Sequence, residues 1–358
     1  MAGSTGKTRG TYLAVAAALL FGLAAPLNKR FLTDIPAIEA TGLLYLGAGF
    51  ALGIVWLVQR LSTANGAPRR QVPLTRTDLP VLAASIAFGG LLGPVLLLFG
   101  LSQASGIVGS LLLNLEAVFT ILIAVVLGES LDRLSLAGTI AITLGSVLVA
   151  LDQSRPGTST WLGALAIAGA CLAWGVDNNL THRISERDPV AVVAAKGLFA
   201  GWIGLAIAAL TGASWPSWSV VEAGLVVGAL GYGGSLVCFV LALRRIGTAR
   251  TGSLFATAPF VGALASVFIL KESLSLLTVA AGSVMALGVF LMAKEEHQHG
   301  HTHEAQEHDH VHVHDEHHQH EHEGNEGPEP HAHLHAHEVL RHSHPHLPDL
   351  HHRHAHGR

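Results

Sequence analysis

The chain has 358 residues, of which 50% are hydrophobic and only 13% are charged, and its formal net charge is −4. A water-soluble domain of this length could not bury so much apolar surface, so the composition indicates a protein that spans a membrane several times. The two cysteines, Cys171 and Cys238, both lie in apolar runs. They are therefore expected to be small buried side chains rather than a disulfide or a metal site.

Ten apolar runs are each long enough to cross a hydrocarbon layer about 30 Å thick, which takes about 20 helical residues. They are residues 11–28, 37–58, 79–101, 104–127, 135–151, 160–180, 189–211, 218–242, 247–270 and 275–293. A chain in lipid must satisfy its backbone hydrogen bonds within the segment or in a closed barrel, and these runs lack the alternation of barrel strands. The sequence thus predicts an all-α integral membrane protein with ten transmembrane helices.

Lysine and arginine predict the orientation of these helices. With a cytoplasmic N-terminus, thirteen of these residues flank the spans on the cytoplasmic side, and only Lys29, Arg30, Arg155 and Lys271 lie on the other side. Both termini are then cytoplasmic, and the expected location is the inner cell membrane. The predicted divisions are a cytoplasmic N-terminus at 1–10, five-helix units at 11–151 and 160–294, and a tail at 295–358.

The two five-helix units are related by an internal repeat. Residues 109–131 run from Gly-Ser-Leu to Glu-Ser-Leu, and residues 252–274 do the same at an offset of 143. Residues 135–145 match 278–288 at this offset, and the first helix matches the sixth at an offset of 153. Because each unit has an odd number of spans, the second must enter the membrane inverted. This arrangement is typical of secondary transporters with a substrate site near the midplane.

The repeated helices resemble the drug/metabolite transporter superfamily of EamA type. The resemblance rests on fourth helices ending in Gly-Glu-Ser or Lys-Glu-Ser, on a Leu-Gly step in each fifth helix, and on the segment 174–183 with Asp188-Pro189 and Lys196-Gly197 after it. It covers residues 10–294 and implies a carrier of small solutes without specifying which. Many members have proline after the mid-helix glutamate of the fourth helix, where this chain has Ala117.

Glu116 is the leading candidate for a site that binds substrate or a coupling ion. It is the thirteenth of the 24 residues in the fourth run, and Pro259 stands at its position in the second copy. An ionised side chain at that depth costs about 2.5–3.5 kcal/mol on insertion scales, so such residues usually face a cavity and have a function. Glu116, with Asn114 as a polar neighbour, would bind a proton or a cationic substrate. The alternative is a protonated side chain that serves helix packing.

A second polar cluster lies in the sixth and seventh helices. Asp177, Asn178 and Asn179 are expected at the cytoplasmic end of helix six, and Lys196 about two turns inside helix seven. A lysine at this depth requires a counter-charge, and Asp177 is the nearest in sequence. The pair would form a gate or substrate clamp, or alternatively a structural ion pair between two helices.

Other polar residues near the helix ends are expected to have structural roles. Glu129 and Glu272 occupy equivalent helix ends, and their repetition favours a duty such as capping a neighbouring helix. His182 is expected to be an interfacial side chain, and Gly138 and Gly145 have the spacing of close helix packing.

The tail has a different composition from the rest of the chain. From Lys294 onward it holds 23 of the 24 histidines and 13 of the 25 acidic residues, and this polarity predicts disorder. Histidines at a spacing of two suggest transition-metal binding. The expected ligands are His297, His299, His301, His303, His308, His310, His312, His314, His331, His333, His335 and His337. A solubilising or pH-sensing tail is the alternative.

Together these features favour a proton-coupled exporter of divalent nickel, cobalt or zinc. One alternative is an exporter of amino acids or other small metabolites whose tail only buffers or senses metal. Another is a membrane-anchored metal-storage or sensor protein. No pattern for ATP hydrolysis or covalent catalysis is present, so neither an enzyme nor a required cofactor is expected. The expected partners are the solute or metal ion, the lipid bilayer and a second copy of the chain in a homodimer, but no nucleic acid.

Overall fold

The computed structural model describes residues 2–64, 74–129, 131–152, 161–185 and 187–293, and the tail segments 297–303, 306–312, 331–337 and 340–346. Side chains are described for residues 8–61, 74–129, 131–152, 161–185, 187–247 and 250–293. Ten helical spans in this part of the chain are long and apolar enough to cross a membrane. Large apolar side chains such as Phe199, Trp202 and Phe268 are exposed on the outside of the bundle, where lipid would cover them.

The ten spans are numbered in chain order, and two of them are divided into an a and a b part. They are α1 (Ala2–Leu32), α2 (Ala37–Ala64), α3 (Arg76–Gln103), α4a (Gly106–Leu112), α4b (Leu115–Val126), α5 (Arg133–Leu151), α6 (Trp161–His182), α7 (Pro189–Leu210), α8 (Trp218–Ile246), α9a (Thr248–Phe255), α9b (Ala258–Ile269) and α10 (Leu276–Ala293).

Besides shifts of a few residues at other helix ends, the structure differs from the predicted spans in three places. Helix α1 already begins at Ala2, within the predicted N-terminal segment 1–10. The fourth and ninth spans, predicted as continuous helices, are each broken once, at residues 113–114 and 256–257. The two breaks are 143 residues apart, which is the offset of the sequence repeat.

Helices α3 and α8 also share an irregularity. Each contains seven residues of π-helix, Ile86–Leu92 in α3 and Gly228–Gly234 in α8. Ordinary α-helix flanks these segments, with Leu79–Ser85 and Gly93–Gln103 in α3 and Trp218–Val227 and Ser235–Ile246 in α8. Short π-helical segments are common at functional sites.

The two halves pack as inverted repeats, and this prediction is confirmed. Helix α1 packs on α8 and α9b, and α6 makes the equivalent contacts with α3 and α4b. The α2–α7 and α5–α10 pairs each join equivalent helices of the two halves. A Cβ on Gly138 would lie 2.6 Å from the Gly288 carbonyl oxygen, so the α5–α10 pair packs backbone against backbone, as the glycine spacing predicts.

The side of the membrane on which α1 begins is called the N-terminal side, and the opposite one the far side. Because successive spans alternate in direction, α4a and α9b lie in the far half of the bundle. Helices α4b and α9a lie in the half on the N-terminal side.

Four tail segments are extended and pair as two antiparallel ladders. β1 (His297–His303) pairs with β4 (Leu340–His346), and β2 (Gln306–His312) pairs with β3 (His331–His337). The alternating sequence of these segments has the period of a strand. Disorder of the tail stays a prediction.

Replacing Gly47 of α2 by alanine is expected to lower stability. Its Cβ would lie 2.2 Å from the Leu225 carbonyl oxygen, and backbone cannot move aside as a flexible side chain can. Overpacking of this kind costs about 1–3 kcal/mol. Gly53→Ala is the matched control, because no described atom outside its own helix lies within 4 Å of a Cβ there. Thermal unfolding of the detergent-solubilised protein should show a lower midpoint for Gly47→Ala alone. Equal midpoints for the two variants would contradict the close α2–α8 contact.

Candidate functional site

The break in the fourth span determines the geometry around Glu116. An interrupted helix leaves carbonyl groups without their usual donors, and in lipid these must be satisfied by neighbouring groups. The Asn114 Nδ2 donates to the Leu111 carbonyl oxygen at 2.9 Å, and the Cys171 Sγ lies 3.5 Å from that of Leu112. Asn114, expected as a polar neighbour of Glu116, thus bonds to the backbone of the break.

The ninth span is broken in the same way. The Thr257 Oγ1 donates to the Leu254 carbonyl oxygen at 2.6 Å, and both positions lie 143 residues after Asn114 and Leu111. Pro259 at the start of α9b removes a backbone donor, whereas α4b begins without a proline. The break in the fourth span therefore forms without a proline at position 117, with backbone bonds to the Ser110 and Leu111 carbonyls and side-chain bonds from Asn114 and Cys171.

Glu116 is half-buried in the first turn of α4b. Its Oε1 accepts a hydrogen bond of 2.9 Å from Nδ2 of Asn178, an exposed residue of α6. The Asn178 amide also donates to Thr120 Oγ1 at 3.1 Å, and Thr120 Oγ1 donates to the Glu116 backbone carbonyl at 2.8 Å. The positive end of the α4b dipole stabilises a carboxylate at this place.

Among the described residues, the Glu116 carboxylate is in no ion pair. Two ion pairs lie near this end of the bundle, Arg187–Asp78 and Lys196–Asp177, and Glu116 belongs to neither. The carboxylate can therefore bind a proton or an external cation without first giving up a positively charged side chain.

Asp177 and Lys196 form a buried ion pair between α6 and α7. Lys196 Nζ lies 2.8 Å from Oδ1 and 2.6 Å from Oδ2 of Asp177. Lys196 is 8% exposed and Asp177 is 6% exposed. Ser85 and Thr181 donate hydroxyl groups to the same Oδ1. The ion pair predicted from the sequence is thus present, and its members satisfy each other.

The π-helix of α3 brings its backbone against this ion pair. A Cβ on Gly89 would lie 1.9 Å from Asp177 Oδ2, so only glycine fits there. The Gly89 carbonyl oxygen accepts hydrogen bonds from the Tyr45 hydroxyl at 2.5 Å and from Trp174 Nε1 at 3.1 Å. The widened helix turn is therefore satisfied by two aromatic donors.

The remaining candidate residues of α6 are Asn179 and His182. The Asn179 Nδ2 donates to the carbonyl oxygens of Thr120 and Gly175, which ties α6 to α4b. His182 is half-exposed at the last position of α6.

Sequence reasoning missed the neutral members of the cluster. They are Tyr45, Ser85, Thr120, Trp174 and Thr181, residue types that are common in membrane helices and carry no charge. The one available signal was the Gly89-Gly90 pair in the middle of a span, which indicates a close approach of another element.

The candidate metal ligands of the tail lie in β1, β2 and β3, apart from His314, which is outside the described residues. Only the backbone of these strands is described, so the role of the histidines stays a prediction. In the part of the chain that the structure describes, no three histidine, cysteine, aspartate or glutamate residues gather as a metal site.

Comparisons with known proteins agree with this fold. Residues 8–151 and 161–294 match the sequence model of the EamA-like transporter family. An uncharacterized transporter of Methanothermobacter thermautotrophicus (strain Delta H) is 26% identical over 291 residues, which are 78% of this chain and 84% of the relative. A solved crystal structure that is 20% identical aligns with a TM-score of 0.57 over 79% of this chain and 94% of its own. At that identity, the likeness supports the fold alone.

Removing the charge of one member of the Asp177–Lys196 pair is expected to destabilise the protein strongly. Lys196→Met leaves a buried carboxylate without its cation, at a cost of about 3–5 kcal/mol, and Asp177→Asn leaves a buried ammonium group. The double variant should recover most of the loss, since the amide oxygen introduced at position 177 would still accept from Ser85 and Thr181. Thermal unfolding of the three variants measures this. A double variant no more stable than either single variant would contradict a self-satisfied pair.

Proposed function

Because the chain belongs to the EamA-like transporter family, we propose that it is a secondary-active exporter of small solutes that carry a positive charge. The observation that carries the proposal is the half-buried Glu116 carboxylate, which has an amide donor but no described cation. Next to it, Asp177 and Lys196 cancel each other's charge. The site therefore has a net negative charge from one group.

A single carboxylate of this kind can couple the movement of a proton to the movement of a cationic solute in the opposite direction. A proton and a cationic group compete for the same oxygens, so only one occupies the site in each half of the transport cycle. An inward proton gradient would then drive the solute outward. The exposed Asn178 beside Glu116 offers a hydrogen-bond partner for the polar part of an organic solute.

The proposed location is the inner cell membrane, with both termini in the cytoplasm. It is supported by the excess of lysine and arginine at the helix ends on the N-terminal side. Formation of a homodimer stays a prediction.

Export of divalent nickel, cobalt or zinc is a second candidate, favoured by the 23 histidines of the tail. Imidazole suits these ions, and the side chain that bonds to the Glu116 carboxylate is the Asn178 amide rather than an imidazole. The organic cation is therefore the better match to the site. In that case the tail would buffer or sense metal rather than deliver it.

Glu116→Gln is expected to abolish solute-driven proton movement. Purified full-length protein in liposomes containing a trapped pH-sensitive dye would be exposed to amino acids, primary amines, Ni²⁺, Co²⁺ and Zn²⁺ in turn. The wild type should move protons in response to cationic organic solutes, and Glu116→Gln should fall to the level of empty liposomes. Glu222→Gln is the matched control, because Glu222 is an exposed glutamate of α8.

Two results would contradict the proposal. Wild-type rates in Glu116→Gln would show that this carboxylate does not exchange the ions. A response to the metal ions alone would assign the substrate to the second candidate.

Deletion of residues 295–358 separates the two candidates. If the substrate is organic, the truncated chain should transport it at the full-length rate, because the tail is not part of the membrane site. If the substrate is a metal ion, the truncated chain should lose transport at low metal concentration and recover it at high concentration. Initial rates over a concentration series, in the same liposomes, measure the difference.

A further inference from the structure

Glu272 joins the two halves of the protein at the far side of the membrane. Its Oε1 accepts from the Gly106 backbone N–H at 2.7 Å and its Oε2 from that of Ile107 at 2.8 Å. These groups belong to the first turn of α4a, where backbone donors lack partners within the helix. The capping role expected for Glu272 is thus observed, and the carboxylate and the helix it caps belong to different halves.

The contact between α4a and α9b closes the far half of the bundle. All seven residues of α4a are buried. A Cβ on Gly106 would lie 2.3 Å from Leu270 Cδ1, and one on Gly262 would lie 2.8 Å from Ser110 Oγ. The two helices therefore leave no room for a solute between them.

The equivalent place on the N-terminal side is open. Helix α9a corresponds to α4a at the offset of 143, so that Gly252 corresponds to Gly109 and Ser253 to Ser110. A Cβ on Gly109 would lie 2.4 Å from Leu101, whereas at Gly252 no described atom outside its own helix lies within 4 Å. Ser110 is fully buried, and Ser253 is half-exposed. The broken helix is thus closely packed in the far half and loosely packed in the half on the N-terminal side.

Glu129 is the counterpart of Glu272 on the open side. It follows α4b as Glu272 follows α9b, and it is exposed where Glu272 is half-buried. The first turn of α9a begins at Thr248, and its backbone N–H groups lack intrahelical acceptors just as those of α4a do. Ala249 and Arg250 occupy the positions that correspond to Gly106 and Ile107.

We propose that Glu272 and Glu129 are two alternating latches, each closing one side of the transporter by capping the broken helix of the opposite half. In the state described here the Glu272 carboxylate accepts hydrogen bonds from the first turn of α4a. In the opposite state Glu129 accepts from the N–H groups of Ala249 and Arg250 while Glu272 releases α4a. Each transition exchanges one pair of hydrogen bonds for an equivalent pair.

The inference rests on the proposed function only in that the chain alternates between two open states, and its test needs no substrate. Ser110→Cys and Ser253→Cys would each be placed in a Cys171→Ser/Cys238→Ala background, in which the hydroxyl introduced at position 171 keeps a donor for the Leu112 carbonyl. The rate of reaction with N-ethylmaleimide is measured in detergent, where both sides of the protein are accessible. A thiol at position 253 should react at least tenfold faster than one at position 110.

The latch variants should shift these two rates in opposite directions. Glu272→Gln weakens the far latch, so the rate at position 110 should rise at least tenfold and the rate at position 253 should fall. Glu129→Gln is the matched control, and it should leave position 110 as slow as before or slower. The double variant should return the ratio of the two rates towards the wild-type value.

Three results would overturn the latches: an unchanged rate at position 110 in Glu272→Gln, a rise at both positions, or the same shift from Glu129→Gln. A reciprocal shift in a protein that transports no cationic solute would leave the latches standing and reject the proposed function instead.

Discussion

The constraint on which the site depends is that backbone groups freed inside a membrane must find new partners. The fourth span is broken at residues 113–114, where backbone N–H groups bond to the Ser110 and Leu111 carbonyls and the side chains of Asn114 and Cys171 donate to the Leu111 and Leu112 carbonyls. With these bonds in place, a new helix starts in the middle of the span. That start places Glu116 in a first turn, where the helix dipole stabilises a carboxylate that continuous helix would leave unsupported.

A second consequence of the same constraint is the packing around Asp177. The π-helix of α3 leaves the Gly89 carbonyl to be satisfied by Tyr45 and Trp174, and the missing side chain at Gly89 lets the backbone reach the carboxylate. Lys196, Ser85 and Thr181 complete its surroundings. Because the members of this ion pair satisfy each other, Glu116 is the carboxylate of the cluster that has no cationic partner of its own.

The sequence was sufficient for most of the fold and for the charged members of the site. Hydrophobic length predicts ten spans and the repeat predicts their inverted packing, since both depend on the whole pattern rather than on single residues. Glu116, Asp177 and Lys196 were predicted because a charge is costly in lipid. The breaks and the π-helices were not, because they depend on which neighbour supplies a donor: Ala117 gave no sign of a break that Asn114 holds. Ser85, Thr120 and Tyr45 were missed for the same reason, since a hydroxyl in a membrane helix usually bonds to its own backbone.

Comparison of the two halves separates scaffold from site. Positions that agree at the offset of 143 hold the architecture: the breaks closed by Asn114 and Thr257, and the helix-end carboxylates Glu129 and Glu272. Positions that differ carry the charge. Glu116 faces Pro259 in the alignment, and at the offset of 153 Asp177 and Lys196 correspond to the buried Ala24 and Leu43. The frame is therefore duplicated between the two halves, whereas the charged cluster occurs only once. Duplication thus accounts for the helix breaks and the helix-end carboxylates, and the later divergence of the two halves accounts for the charged residues.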